Sequence, residues 1–124
     1  MAKNMTPAMI DGGLTKMNTC TRISVLTAEP TSIADIANAF PTGLRLSTTT
    51  LTGGDFTLAN GDVSGRKSTV AQKTGVAITA TGTATHVAID DGTDWIVTTC
   101  TPQALTSGGT VTIPAWKREI AAAT

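Results

Sequence analysis

From Gly75 to Ile113 the chain is a succession of short alternating segments divided by turn residues. The segments are Val76-Ala77-Ile78-Thr79-Ala80, then Thr83 through Asp90, then Trp95 through Cys100, then Thr110-Val111-Thr112-Ile113. Apolar residues recur at every second position, and threonine fills most of the slots between them. A period of two is the signature of strands with one buried and one wet face. Gly82, Asp91-Gly92 and Ser107-Gly108-Gly109 supply the breaks, so the pattern predicts a meandering antiparallel sheet.

Composition supports an all-β reading. Threonine is roughly a fifth of the chain, and a β-branched hydroxyl residue suits the solvent face of a strand. A chain of 124 residues buries about two-thirds of its unfolded surface, enough for one modest core. Aromatic residues are only 3%, so Val, Ile, Leu, Ala and Met must fill that core, which predicts a thin sandwich or barrel. The formal net charge is zero and basic residues form no run, which argues against nucleic acid as a partner. No apolar stretch approaches the ~20 residues of a membrane helix, and no apolar core follows Lys3 as a signal peptide requires. Synthesis and retention in a cytoplasm before assembly is the expectation. Cys20 and Cys100 lie far apart, and a reducing compartment favours two packed thiols.

Residues 1–19 differ from the rest. Met1, Met5, Met9 and Met17 all fall here, with Pro7, Ile10 and Leu14, and Gly12-Gly13 interrupts any helix. The segment reads either as a terminus docked on the sheet or as an extended arm that orders on a neighbour. Residues 20–120 are expected to form a single β domain, and 121–124 a frayed C-terminal tail. Within the domain, 22–27 is the first strand. Residues 32–40 are the convincing helix: Ser32 with Asp35 matches a capping box, and Ile33, Ile36, Ala37 and Phe40 fall on one face. Leu44–Leu51 reads as a strand near an edge. Asn60-Gly61-Asp62 is a strong turn signal before a strand at 66–72. Pro114 breaks the last strand or marks an edge, with Arg66-Lys67 as a second edge guard. The count is about eight strands.

Candidate chemistry is sparse. His86 is the single histidine and shares a strand face with Ala84, Ala88 and Asp90, the less apolar side. A catalytic histidine needs an orienting carboxylate and a nucleophile or metal close by, and the spacing offers none. Asp90, Asp91 and Asp94 lack the alternating oxygens and terminal glutamate of a calcium loop, and read instead as a hairpin turn closed by Asp91-Gly92 and capped by Asp94. Neither Gly53-Gly54 nor Gly108-Gly109 opens a phosphate loop, and the cysteines lack zinc spacing. The chain is therefore expected to be non-enzymatic, with no cofactor and no metal.

The run Ala80 through Gly92, followed by Leu105 through Pro114, resembles small virion structural proteins of tailed bacteriophages. Thr6-Pro7-Ala8-Met9-Ile10-Asp11-Gly12-Gly13-Leu14 is similar to N-terminal arms in the same group. The resemblance covers residues 6–14 and 75–114. It implies a capsid decoration, or cement, protein on the virion surface, with the major capsid protein lattice as partner and possibly copies of itself. Met5, Pro7, Met9, Ile10, Leu14 and Met17 of the arm, with Trp116, are then the candidate partner-binding residues. The alternative is a tail or fibre β domain that binds a receptor or carbohydrate, for which Trp95 and Trp116 are the only stacking candidates.

Overall fold

The alternating segments do become strands, but they do not stay in one sheet. A computed structural model of the chain describes residues 12, 14–63 and 65–120. Among these are nine strands: β1 (Arg22–Leu26), β2 (Arg45–Thr50), β3 (Phe56–Asn60), β4 (Arg66–Val70), β5 (Lys73–Ala77), β6 (Gly82–Asp90), β7 (Trp95–Leu105), β8 (Thr110–Ile113) and β9 (Trp116–Ile120). All strand pairs are antiparallel, and the fold is all-β. The chain divides into two compact units, one of residues 1–19, 52–72 and 114–124, the other of 20–51 and 73–113.

The second unit holds the four-stranded sheet β2-β1-β6-β7 and the two-stranded sheet β5-β8. The predicted meander thus keeps its central hairpin, β6–β7, while its first and last segments pair with each other. Gly75 explains part of the difference. It adopts φ +63°, and the β5–β8 register shifts between Lys73 and Val76 around it.

In the sheet β2-β1-β6-β7 the central pair β1–β6 carries buried residues on both faces. Ile23, Val25, Val87 and Ile89 fill one side. On the other, Leu26 and Ala88 pack with Ile36, and Ile33, Leu44, Trp95 and Val97 close around them. Each buried Ile or Leu contributes about 1.5–3 kcal/mol by leaving water. The face of His86 is therefore not the wet side that its neighbours in the sequence indicate, because a helix covers it. A bulge between Val25 and Leu26 leaves Leu46 as an extra residue of β2. Leu46 is fully buried, and its carbonyl turns outward to accept the Thr79 and Ala80 N–H groups.

That helix, α1, spans Ile33–Ala37 rather than 32–40. Ser32 is the N-cap, but its side chain makes no capping bond. The Asp35 carboxylate instead accepts the backbone N–H and the hydroxyl of Thr31, one residue earlier than the expected box. The helix ends early for two reasons. Pro41 disfavours helical backbone at Phe40. The chain also folds back at once: Ala39 bridges Arg45, the Phe40 N–H donates to the Arg45 carbonyl, and the Leu44 N–H donates to that of Asp35. Phe40, expected on the buried face, is exposed.

The first unit is built on the sheet β3-β4-β9. Phe56, Val70 and Ser68 are buried there, as are Leu14 and Met17, which flank a helical turn at residues 14–17. The Ser68 hydroxyl donates to Asn18 Oδ1 at 2.6 Å. Asn60 ends β3, and the connection runs from 61 to 65, where Gly65 takes φ +73°. It is longer than the tight turn that Asn60-Gly61 signals. Arg66 and Lys67 lie on β4, the central strand, so they guard no edge. Pro114 sits in the link between β8 and β9. The proline that does occupy an edge strand is Pro102, in β7.

Candidate functional site

A cleft of about 610 Å³ opens in the second unit, lined by Thr21, Arg22, Thr48, Thr49, Thr50, Asp90 and Gly92. It forms because β1 aligns Arg22 with Thr50 on one side and with Asp90 on the other. Asp90 is 1% exposed, and a lone carboxylate so buried is costly unless paired. Arg22 supplies the pair: its Nε donates to Oδ1 at 2.9 Å and its Nη2 to Oδ2 at 2.7 Å. The Gly92 N–H adds a third donor to Oδ2 at 3.0 Å. Hydrogen bonding to Asp90 raises the Arg22 pKa above its ordinary value, against the opposing effect of burial. Arg45 goes the other way, lowered by burial and by the nearby charge of Arg22.

This arrangement holds strands together and leaves little for chemistry. Both Asp90 oxygens accept hydrogen bonds from cationic or amide donors, so the carboxylate is a poor general base. Thr48 is also engaged, donating to the Ile23 carbonyl at 3.1 Å and pairing with the Ser24 hydroxyl at 3.0 Å. The turn beyond Asp90 is an Asx turn. Asp91 Oδ1 accepts the N–H groups of Thr93 and Asp94, at 2.9 and 2.8 Å, while Gly92 takes φ +96°. The capping side chain is thus Asp91, to which Asp94 donates its backbone N–H. No group of acids, histidine and cysteine among the described residues converges as a metal site.

His86 is half-buried on β6, and its Nδ1 lies 2.8 Å from the Thr85 hydroxyl. Cys20 is buried, and neither it nor Cys100 forms a disulfide. Burial raises the pKa of the half-buried Cys100 thiol. In the first unit, the loop after β3 is tied to its sheet by charge. Lys67 reaches Asp62 at 2.7 Å, Lys117 meets the same carboxylate, and Glu119 accepts the Asp62 N–H at 2.8 Å.

Of the arm residues predicted to bind a partner, Met5, Pro7, Met9 and Ile10 lie outside the described residues. Leu14 and Met17 are buried, at 1% and 2% exposure. Trp116 is half-buried on β9, opposite Val70, with an indole Nε1 that finds no acceptor among the described residues. Trp95 packs against the Leu26–Ile36–Ala88 cluster. The sequence reading missed the outer edge of β7, an eleven-residue strand at the margin of its sheet. Its signal was present: Trp95 to Leu105 contains no charged residue. Comparison with protein-family models, characterised proteins and solved structures finds no match to this chain.

Proposed function

We propose that the protein is a non-enzymatic structural component of a bacteriophage virion that binds and stabilises the outer capsid lattice. One observation carries this reading. The charged side chains that could serve chemistry are engaged in the fold's own bonds: Arg22 with Asp90, Asp35 with Thr31, Asp91 with its turn, and Asp62 with Lys67 and Lys117. The exposed residues of the long strand β7, Thr99, Thr101, Pro102, Gln103 and Ala104, are uncharged. Such a surface suits adhesion. The phage-like segments at 6–14 and 75–114 supply the context.

Cementing needs no more than this. A protein that binds the assembled lattice and not its separated subunits stabilises the lattice by linkage. Many copies acting on one shell make a modest interface sufficient. The alternative glycan-binding role draws on exposed tryptophan, and the packing of Trp95 into the core weakens it. Co-sedimentation of the purified protein with empty capsid shells of the encoding phage tests the reading. Binding in the hundreds of copies, on the order expected for a repeating lattice, supports it. A handful of copies or none overturns it.

A further inference from the structure

The edge of β7 carries an inference that does not depend on which lattice the protein binds. Backbone bonds fix the direction in which each residue of this sheet faces. The Thr21 N–H donates to the Asp90 carbonyl at 2.9 Å, so Asp90 turns its backbone toward β1. The Asp91 N–H donates to the Asp94 carbonyl at 3.2 Å and closes the β6–β7 hairpin. Backbone direction alternates along a strand. Ile89 and Val87 therefore bond Ile96 and Thr98, their partners in register. Trp95, Val97 and Thr99 turn their N–H and C=O groups away from β6. Among the described residues no strand receives them.

Two other sheet edges, β2 and β9, are defended. On β2, the Leu46 carbonyl is taken by Thr79 and Ala80, and Ser47 bridges Ile78. β9 carries Lys117-Arg118-Glu119. β7 has no charge, and its defence begins only after Thr99. There Cys100, Thr101 and Pro102 stand against Thr85 alone, a bulge that bends the edge away, and Pro102 has no N–H to offer. The stretch left able to pair is Trp95–Thr99.

We propose that two copies of the chain pair antiparallel through Trp95–Thr99, about a two-fold axis at Val97. The outward positions 95, 97 and 99 are symmetric about Val97, which makes this edge complementary to itself. Val97 then exchanges both backbone bonds with the partner's Val97, and Trp95 does so with the partner's Thr99. The ends fit as well. Asp94, where the hairpin turns, falls opposite the partner's Cys100, where the bulge carries that strand aside. No like charges face each other anywhere in the register.

Sedimentation equilibrium on the full chain, joined to amide hydrogen exchange at high and low concentration, tests the proposal. The expected result is a reversible dimer in which protection of Val97 and Thr99 rises with concentration while that of Ile96 and Thr98 does not change. Val97→Pro removes the central outward N–H without touching a bond to β6, and should raise the dissociation constant roughly 100-fold by deleting both central bonds. Should that variant not fold, Thr99→Pro at the exposed end of the stretch makes the same test. A chain that stays monomeric at the highest concentration it tolerates, or a dimer whose protection builds elsewhere, overturns the proposal.

Discussion

Arg22 grips Asp90 through two parallel hydrogen bonds, Nε to Oδ1 and Nη2 to Oδ2, across the β1–β6 pair. Breaking a buried ion pair from one side costs about 3–5 kcal/mol, because the remaining charge has no partner. Arg22 retains 27% exposure and water can reach it, so the cost falls to the bottom of that range or just below it. Asp90→Asn is expected to destabilise by about 2–3 kcal/mol, read as a lower midpoint in urea unfolding at unchanged slope. A loss below about 0.5 kcal/mol would mean that the pair contributes only to alignment.

Gly43 is required by space. A Cβ there would lie 2.2 Å from the Asn38 carbonyl oxygen, a backbone atom that cannot step aside. Its own N–H donates to Ala39 at 2.9 Å, closing the turn that ends α1. Gly43→Ala should cost about 3 kcal/mol or more by forcing that turn open. Gly54→Ala is the control, since the nearest atom to its Cβ is Thr52 Oγ1 at 3.8 Å. It should be neutral or slightly stabilising, by up to about 1 kcal/mol. Equal losses in thermal unfolding of the two variants would refute the steric account.

Asp35 links stability to acid. The backbone N–H of Thr31, ahead of the Thr31 hydroxyl and the Ser32 N–H, holds its carboxyl below the ordinary value of 3.8. A carboxyl depressed in the folded state contributes stability above its unfolded pKa and loses it as pH falls through the folded one. The window therefore lies below about pH 4. Thermal midpoints of the native protein and of Asp35→Asn should differ at neutral pH and converge under acid. Curves that stay parallel down to low pH would assign the effect to another group.

The strands were legible because their period is local. Alternation at Ile23, Val25, Val87 and Ile89 is enough to place a buried face. Partner choice was not legible, since β5 pairs with β8 across the whole β6–β7 hairpin and nothing local records that. The edge position of β2 was readable from its threonines. The end of α1 was not, because Phe40 fits the helical stripe and is pulled out by backbone bonds to Arg45, five residues on. At the candidate site, the turn was read correctly at Asp91-Gly92, but a sequence does not show which carboxylate bends back. Arg22 passed unnoticed because a single arginine acquires meaning only when register sets it against Asp90.

The insertion at Cys100–Pro102 has a consequence for a chain held at high local concentration. A straight eleven-residue edge would accept strand after strand and seed condensation. With Trp95–Thr99 paired to a second copy as proposed, the straight half of the edge would be consumed by a single two-fold contact, while the bulge turns the other half away. On that side of the molecule, growth would then terminate at two.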